Sequence, residues 1–568
     1  MRRRKRWQTM PHQPEAVAEV SARHGLPRLV ARVLLNRGLA EPEDILAFLA
    51  PTLERLASPF GLADLDTACA RLGRAVRRAE PVAVYGDYDA DGLTATGLLV
   101  QFLGELGLAA PAHIPDRLRE GYGLRVPALQ DLASRARLLV TVDCGISDAR
   151  EVAWAKEQGL EVIVTDHHEI PPELPPALAV VNPKRAGQDY PFRELAGVGV
   201  ALLLVLGLRA ELRGEGWFKG REEPNLRAYL DLVALGTAAD VVPVTGENRI
   251  LVSQGLRVLE DSRRPGLIAL KEVAGLEGKS LTARDLVFRL APRLNAAGRL
   301  GQARVALELL LSPDLNQARV QAGYLNRLNR ERQALEEEVL RQAGEMIRRQ
   351  GLAKAPVLVL AGEGWHPGVL GIVAARLAEA YHRPAALVSL ADGRGRGSAR
   401  SVEGFHLFQG IHACRERLTR YGGHAAAAGF EMAADQVPAF REQLEAAFWE
   451  QVGAAPPRPT LKVDAEIDLP ELNGDFFQHL EKLRPFGPGN PEPVFACGGT
   501  ECLTSRVVGE RHLKVQLAQE GCIKEAVAFD GAAHHPLSGP MEVAFSARFS
   551  YYQGRLTPEL RLLDWAKV

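Results

Sequence analysis

The sequence lacks the features that would place it in a membrane or in an oxidising compartment. Its longest apolar run, residues 195–208, is too short to cross a bilayer and predicts a buried helix. The six cysteines form no CxxC pair and no zinc-ligand spacing, as is typical of reduced thiols. The basic start, residues 1–7, is not followed by an apolar stretch and does not predict a signal peptide. We therefore expect a cytoplasmic protein.

A strong net charge and the familiar nucleotide-binding loops are missing as well. The 69 Lys and Arg residues almost balance the 70 Asp and Glu residues, so a nucleic-acid partner would have to be bound by local basic patches. The sequence contains neither a Walker-type phosphate loop nor a nucleophile elbow. No internal repeat or low-complexity segment is evident.

What is present is a long chain of ordinary globular composition. Its 568 residues, of which 46% are hydrophobic and 24% charged, predict a folded protein with three or four domains. Apolar strands alternate with amphipathic helices after residue 81, and this order predicts a parallel, doubly wound α/β sheet. The predicted strands are residues 82–85, 112–115, 138–142, 161–165 and 179–182.

The remaining segments predict a multidomain α/β protein. A helical segment, residues 1–80, is expected to pack on the parallel-sheet domain of residues 81–311. A long amphipathic helix at 312–351 would join that domain to a smaller α/β domain at 352–453. Alternating strands and Gly/Pro turns in residues 454–568, after a Pro-rich linker, predict a small β-barrel or sandwich.

Three aspartates alternate directly after the first predicted strand, in the sequence GDYDADG. Asp87, Asp89 and Asp91 would hold like charges close together without a cation, and carboxylate oxygens suit hard divalent metals. The carboxyl ends of parallel strands are also where open α/β sheets place their active sites. An acidic surface turn is the alternative interpretation, and the later motifs argue against it.

Further Asp and His residues follow other predicted strands or apolar segments. Asp143 follows one strand, His167 and His168 follow the next, and Asp240 ends a later apolar segment. Each of them alone would also suit a helix cap or a turn. Together they predict a two-metal hydrolytic site, which needs a bridging carboxylate, terminal carboxylates and an imidazole around metals roughly 3.5–4 Å apart.

The motifs carry a resemblance to a known family. GDYDADG, VDCG, TDHHE and GTAADVVP resemble the four motifs of the DHH phosphoesterase superfamily. Nearly the whole chain resembles its bacterial single-strand-specific 5′→3′ DNA exonucleases, through the segments SPFGLADLD, EGYGL, APRLNAAGR, GWHPGVLGIVAARL, RYGGHAAAAG and LRPFGPGNPEPVF. The resemblance implies a DHH catalytic domain, a DHHA1 substrate-binding domain and an OB-fold-like DNA-binding domain, in that order.

The resemblance also implies two divalent metal ions, Mn²⁺ or Mg²⁺, and a ligand set for them. The implied ligands are Asp87, Asp89, Asp91, the bridging Asp143, His167 and Asp240. His168 would lie beside the scissile phosphate, as a phosphate binder or as the proton donor to the leaving oxygen. Which metal Asp87 contacts stays open. The expected reaction is phosphodiester hydrolysis that releases a 5′-mononucleotide.

A Gly- and Arg-rich segment at residues 393–401 predicts a phosphate site, with a basic hairpin loop as the alternative. Glycines let backbone N–H groups approach an anion, and arginines bind it with two hydrogen bonds. By resemblance, the 5′-terminal phosphate and the DNA would be bound by Arg293, Arg299, Ser398, Arg400, Gly423 and His424. A fixed distance from this pocket to the metals would set the cut at one nucleotide.

Basic and aromatic residues alternate in the C-terminal β-domain, as suits a surface that binds single strands. The basic residues are Arg506, Arg511, Lys514, Lys524, Arg548 and Arg555. The aromatic residues are Phe545, Phe549, Tyr551 and Tyr552, and about half of them are expected to belong to the core.

Two other functions stay open at this point. Another DHH phosphoesterase would act on short oligonucleotides, cyclic dinucleotides or pyrophosphate, and a non-catalytic DNA-binding scaffold would have lost metal ligands that are all present in this chain. The resemblance further implies a monomer that acts on single-stranded DNA with a 5′ end in DNA repair and recombination. A single-strand-binding protein and a helicase are its expected partners.

Overall fold

The computed structural model describes residues 5–552 and 555–568, and the side chains of all of these except 550–552, 555 and 556. Contacts divide the chain into two compact units. One unit contains residues 329–462 together with the segment that ends at Gln8, and the other contains residues 9–328 and 463–568.

The first eighty residues are mostly helical, as predicted. Their elements are β1 (Arg6–Thr9), α1 (Pro14–His24), α2 (Arg28–Asn36), α3 (Pro42–Leu49) and α4 (Leu65–Arg78). The packing of this whole segment on the sheet domain stays a prediction. The buried residues of α1–α3, such as Val30 and Leu34, share a hydrophobic cluster with the C-terminal β-domain, whereas α4 belongs to the cluster of the parallel sheet. Helical periodicity predicts a buried face but not its partner.

A five-stranded parallel sheet forms the centre of the larger unit. Its strands are β2 (Val82–Gly86), β3 (Ala112–His113), β4 (Leu138–Val142), β5 (Glu161–Thr165) and β6 (Ala179–Val181). The strand order is β3-β2-β4-β5-β6, and every pair is parallel. Gly86, Val142 and Thr165 are register partners, so β2, β4 and β5 end side by side. The predicted parallel sheet is confirmed.

Helices surround this sheet and extend the unit. They are α5 (Ala90–Glu105), α6 (Val126–Ala133), α7 (Ala149–Glu157), α8 (Gly197–Gly214), α9 (Leu230–Ala239), α10 (Gly246–Glu260), α11 (Pro265–Ala274), α12 (Ala283–Asp285), α13 (Ala291–Arg299) and α14 (Ala303–Leu310). The apolar run noted in the sequence is mostly α8, which is buried against α4, α5 and α9. Among the described residues, no helix is long and apolar enough to cross a membrane.

The long predicted helix is α15 (Leu315–Arg349), and the boundary between the two units falls within it. The smaller unit continues with β7 (Leu358–Glu363), α16 (Pro367–Tyr381), β8 (Ala385–Ala391), β9 (Arg394–Arg400), α17 (Leu407–Ala413), β10 (Arg420–Gly423), β11 (Ala427–Ala433) and α18 (Val437–Val452). Its mixed sheet has the order β10-β11-β9-β8-β7. This is the predicted smaller α/β domain.

The C-terminal domain contains a closed β-barrel and one helix. Its elements are β13 (Ala465–Glu466), α19 (Gly474–Glu481), β14 (Val494–Val508), β15 (His512–Gln519), β16 (Cys522–Ala528), β17 (Gly539–Tyr552) and β18 (Arg555–Lys567). The preceding β12 (Thr460–Val463) pairs with β1 in a separate two-stranded sheet. The barrel closes because β14 pairs with both β15 and β17, while β16 and β18 complete the ring. The expected all-β, OB-like domain is therefore present.

Candidate metal centre

The carboxyl edge of the parallel sheet gathers the predicted metal ligands. Asp87 and Asp89 follow β2, Asp143 follows β4, His167 follows β5, and Asp240 is the C-cap of α9. Asp89 is also the N-cap of α5, where its Oδ1 accepts hydrogen bonds from the backbone N–H groups of Asp91 and Gly92. The convergence follows from the parallel register, because adjacent strands place their ends on one edge.

The ligand atoms lie close enough together to share cations. His167 Nε2 is 3.1 Å from Asp143 Oδ1 and 3.5 Å from Asp240 Oδ2. Three overlapping sets could each hold a metal ion, because the ligand atoms of each set lie within 4.8 Å of one another. These sets are Asp87 with Asp89 and Asp143, Asp91 with His167 and Asp240, and Asp143 with His167 and His168.

Four buried atoms in this cluster have no hydrogen-bond partner among the described residues. They are Asp87 Oδ1, Asp143 Oδ1, His167 Nε2 and Asp240 Oδ2. A buried polar atom without a partner costs roughly 1–3 kcal/mol, and more when it is charged. Three acceptor oxygens and one imidazole nitrogen that face one another fit a pair of divalent cations, because each atom would then gain a ligand bond.

The electrostatics of the cluster favour the same conclusion. Burial, reinforced by the charge of Asp91, raises the pKa of Asp240 to about 9 and that of Asp143 well above its ordinary value. Burial, reinforced by Asp89, raises the pKa of Asp87 as well. Burial, together with the neighbouring His168, lowers the pKa of His167 to about 3, so its imidazole is neutral and available as a ligand. Bound cations would reverse the carboxylate shifts.

Asp91 differs from the other aspartates because both of its oxygens are engaged. Its Oδ2 accepts a hydrogen bond from Gly197 N at 2.6 Å, and its Oδ1 accepts one from Val198 N at 2.9 Å. The carboxylate thereby caps the first turn of α8. The absence of a side chain at Gly197 makes room for the neighbouring Asp143, because a Cβ there would lie 2.7 Å from Asp143 Cβ. A role of Asp91 as a direct ligand stays a prediction.

His168 is held by the residue that opens the same DHH triplet. Its Nδ1 lies 2.7 Å from Asp166 Oδ1, and the buried Asp166 also accepts the backbone N–H groups of Ile146 and His167. Burial opposes the charged form, but the hydrogen bond and the charge of Asp166 raise the pKa of His168. Because Nδ1 donates to Asp166, the other ring nitrogen, Nε2, is left to meet a substrate.

A cavity of about 320 Å³ opens beside these groups and contains residues that the sequence analysis did not assign. Tyr122 lies 3.2 Å from His168 Nδ1 and 3.3 Å from the carbonyl oxygen of Asp143. Asn295 accepts a hydrogen bond from Ala90 N at 2.7 Å. Arg117, also unassigned, and Arg299, which was predicted to bind DNA, line the cavity too. The EGYGL and APRLNAAGR motifs contain Tyr122 and Asn295 and were the available signal for these two residues.

The predicted phosphate-binding residues are divided between the two units. In the smaller unit, Arg400 Nη1 is 3.4 Å from Ser398 Oγ on β9. Both side chains cover Gly371 in α16, where a Cβ would lie 2.9 and 3.0 Å from Arg400 Nη2 and Ser398 Oγ. The exposed Gly423 pairs with Ala428, and His424 N donates to Ala427 O.

The two remaining arginines of that set belong to the larger unit. Arg299 lines the metal cavity. Arg293 donates to Asn326 Oδ1 at 3.1 Å, to Val273 O at 3.3 Å and to the carbonyl of Arg289. The Arg293 guanidinium is therefore already anchored by protein oxygens, and its contact with a terminal phosphate stays a prediction.

In the barrel, the predicted basic residues are mostly engaged with protein groups. Arg511 pairs with Asp530, Lys514 with Glu525, and Arg548 with Glu559, while Lys524 donates to Leu472 O. The side chains of Arg555, Tyr551 and Tyr552 lie outside the described residues.

The aromatic residues of the barrel divide between core and surface. Phe545 is core, and Phe549 packs at the edge of that core. Phe529, which the sequence analysis missed, lies under two guanidinium groups, those of Arg548 at 5.8 Å and Arg561 at 5.4 Å. These are cation–π contacts, and the Phe529 side chain is half-buried.

A groove of about 1160 Å³ within the larger unit lies next to the metal cavity, and the two share Val241. Its walls come from residues of the 280–289 segment around α12, from a few residues of α9 and α10, and from the barrel domain. They carry aromatic residues and arginines: Phe288, Phe486, Phe549, Arg284, Arg289, Arg484 and Arg548. Phe288 is 67% exposed, which is unusual for phenylalanine in a folded protein.

Comparisons with known proteins agree with this arrangement. Three family models match the chain: the DHH family N-terminal domain at residues 81–237, the DHHA1 domain at 354–450 and the RecJ OB domain at 463–564. The single-stranded-DNA-specific exonuclease RecJ of Bacillus subtilis is 36% identical over 99% of this chain and 71% of its own length.

Solved structures are similar over the whole chain. The crystal structure of RecJ from Thermus thermophilus in complex with Mn²⁺ has a TM-score of 0.86 and 36% identity, and the match covers 100% of this chain and 80% of that one. The same protein in complex with Mg²⁺ has a TM-score of 0.79 and 34% identity, with coverage of 100% and 79%.

Proposed function

The chain belongs to the RecJ family of single-stranded-DNA-specific exonucleases, and from this membership we propose which of its residues perform the reaction. It is a metal-dependent hydrolase of single-stranded DNA that uses Mn²⁺ or Mg²⁺. The observation that carries the assignment of residues is the group of four buried, unpartnered ligand atoms at the carboxyl edge of the sheet.

Different residues of the cluster would bind the two cations. Asp87, Asp89 and Asp143 would hold one, and His167 and Asp240, with Asp143 between them, would hold the other. The bound metals supply an activated water and neutralise the charge that develops on the phosphoryl group. In this proposal Asp91 acts mainly by fixing the start of α8 beneath the ligands, because its oxygens already accept two backbone hydrogen bonds.

His168 is proposed to act on the substrate. It lines the cavity, and its Nδ1 is committed to Asp166, so Nε2 can donate a proton or a hydrogen bond to a phosphate or 3′-oxygen. The raised pKa of His168 increases the fraction of the ring that is protonated and able to donate. The product expected from departure of the 3′-oxygen is a 5′-mononucleotide.

We propose that digestion proceeds 5′→3′ because Ser398 and Arg400 bind the terminal phosphate. Their placement over Gly371, close to the start of α16, supports this role. Arg400→Ala should remove the advantage of a 5′-phosphate over a 5′-hydroxyl strand, with KM for the phosphorylated strand rising about ten- to hundred-fold. Steady-state kinetics on the two strands would measure it.

Arg394→Ala is the matched control for this prediction. Arg394 lies at the other end of β9 and is exposed, so its loss should leave the phosphate preference intact. If Arg400→Ala keeps the full preference for a 5′-phosphate, another group recognises the strand end and this assignment fails.

We propose that nucleotides beyond the metal centre lie in the groove that shares Val241 with the metal cavity. Exposed aromatic rings next to arginines suit the stacking of unpaired bases, which is worth about 1–3 kcal/mol per base. Phe288→Ala should therefore weaken binding of a fluorescent twenty-nucleotide strand about ten-fold in anisotropy titrations, and should leave hydrolysis of a dinucleotide nearly unchanged.

Phe60→Ala provides the control, because Phe60 is also half-exposed, at 49%, but does not line the groove. Equal losses in the two variants would mean that the groove has no special role in binding the strand.

Several finer points are proposals of the same kind. We propose a monomeric cytoplasmic enzyme that works in DNA repair and recombination, with a helicase and a single-strand-binding protein supplying and covering its strand. We also propose the division into segments 1–80, 81–311, 312–351, 352–453 and 454–568.

The test of the proposed function is digestion of a 3′-labelled single strand in the presence of Mn²⁺. A strand with a 5′-phosphate should be degraded progressively to mononucleotides, whereas a strand blocked at its 5′ end and a duplex should survive. An Asp143→Asn variant should degrade none of them. If every strand survives while dinucleotides or pyrophosphate are hydrolysed, the exonuclease assignment is wrong. The proposed metal centre would still be supported by that hydrolysis.

A further inference from the structure

Arg249 on α10 is a buried arginine held only by carbonyl oxygens. It is 2% exposed, and its guanidinium lies 3.7 Å from the centre of the Phe48 ring. Burial lowers the pKa of Arg249 to about 9, and no carboxylate among the described residues pairs with it. Burying a cation without an ionic partner costs folding free energy, so we expect its hydrogen bonds to hold a segment whose position matters for function.

Four of its five hydrogen bonds go to one short segment of the barrel domain. Nη1 donates to Leu483 O at 3.0 Å and to Pro485 O at 3.3 Å, while Nη2 donates to Lys482 O at 3.1 Å and to Arg484 O at 2.7 Å. The fifth bond runs from Nε to Phe48 O at 2.9 Å.

The four acceptors other than Phe48 O belong to residues 482–490, which form the 482–490 loop. Its far end is closed by the buried Asn490, whose Nδ2 donates to Leu483 O and to Pro485 O, each at 2.9 Å. Arg249 and Asn490 thus share acceptors, and together they fix the backbone of the loop from both sides.

The 482–490 loop packs against the turn of residues 240–245, which begins with Asp240. Val244 N donates to Pro488 O at 2.7 Å. Gly487 packs so closely that an added Cβ would lie 2.5 Å from Val244 Cγ2. On the other side, Asn248 Nδ2 donates to Pro243 O at 3.0 Å.

The 240–245 turn needs such support. Val241 has a φ of +64°, a left-handed conformation that a β-branched residue rarely adopts, and its side chain is 69% exposed. A strained backbone of this kind persists only when its surroundings impose it. The residue just before it, Asp240, places its Oδ2 3.5 Å from His167 Nε2 in the metal centre.

We propose that Arg249 is a positioning residue for the metal centre: through the 482–490 loop it holds the turn that presents Asp240. The barrel domain thereby completes a metal site whose ligands all lie in the parallel-sheet domain. This inference rests on the proposed role of Asp240 as a ligand. No residue of this support touches the reacting atoms.

The test measures Mn²⁺ binding by calorimetry in the full-length protein. Arg249→Met keeps an unbranched apolar side chain and removes the guanidinium with its five hydrogen bonds. We expect its Mn²⁺ affinity to fall about 10- to 100-fold, the usual effect of losing a residue that orients a metal ligand. Arg249→Lys should recover part of the loss. Exonuclease activity of Arg249→Met should return at high Mn²⁺, measured at a temperature at which the metal-free variant is already folded, because Mn²⁺ would also rescue a partly unfolded protein by mass action.

Lys271→Met is the matched control. Lys271 is also a buried cation bound to carbonyls, those of Leu259 and Glu260, but it does not contact the 482–490 loop. It should lose thermal stability and keep wild-type Mn²⁺ affinity.

Gly487→Ala keeps the inference testable if Arg249→Met does not fold, because its methyl group pushes Val244 without removing a hydrogen bond. Wild-type Mn²⁺ affinity in folded Arg249→Met or, should that variant not fold, in Gly487→Ala overturns the inference. A wild-type protein that binds no Mn²⁺, or an Asp240→Asn variant that binds it normally, would instead contradict the proposed metal centre.

Discussion

Replacing Asp143 with asparagine is expected to lower kcat by on the order of a thousand-fold or more, the largest effect expected of any single substitution in the site. Asp143 belongs to two of the three candidate metal sets, and its Oδ1 is 3.1 Å from the His167 imidazole, which belongs to the third. That buried Oδ1 has no hydrogen-bond partner among the described residues, which fits a carboxylate whose role is to bind cations. Asparagine keeps the shape that packs against Gly197 and removes the charge.

The same substitution should not destabilise the metal-free protein. Burial and neighbouring carboxylates raise the pKa of Asp143 well above its ordinary value, so the charged group disfavours the folded state at neutral pH. Single-turnover digestion and thermal melts in a chelating buffer would measure both effects. Asp66→Asn, on the surface of α4, is the control. An active Asp143→Asn enzyme would rule out a bridging role.

His168→Ala is expected to lower kcat about 10²- to 10³-fold with little change in Mn²⁺ affinity. The reason is that His168 faces the cavity with a ring oriented by Asp166, whereas His167 points its Nε2 at the carboxylates. Asp166→Asn should share part of the defect, because it weakens the bond that holds the His168 tautomer. His167→Ala should behave in the opposite way and lose metal affinity.

Calorimetry with Mn²⁺ and single-turnover rates on one 5′-phosphorylated strand separate these outcomes. If His168→Ala loses Mn²⁺ binding as severely as His167→Ala, then His168 is a metal ligand. The assignment of His168 to the substrate would then be wrong.

The sequence predicted the strand ends of the site well because the physics there is local. A strand that is buried on both faces gives a continuous apolar run, and the carboxyl edge of a parallel sheet places the following residue at the site. Asp87, Asp143 and His167 could be placed on this basis alone. All five predicted strand segments, of which residues 82–85 are the first, contain strands of one sheet.

What could not be predicted depends on contacts between distant segments. Nothing in GDYDADG reveals that Asp91 caps α8, more than a hundred residues later. In the sequence, Arg249 looks like an ordinary residue of an amphipathic helix. Its five carbonyl partners lie in distant segments, four of them in the barrel domain, and only the folded structure identifies them. Tyr122 reaches His168 from a loop whose course periodicity does not specify.

The shared core of α1–α3 and the C-terminal barrel has a consequence for how the chain is made. These helices leave the ribosome first, yet roughly four hundred residues separate Leu49 from Ala465, where the other half of their core begins. At a translation rate of about 5–20 residues per second, the apolar face of these helices stays without its partner for on the order of 20–80 s. Nascent chains arrested before the barrel should therefore expose that face and recruit chaperones that bind apolar segments.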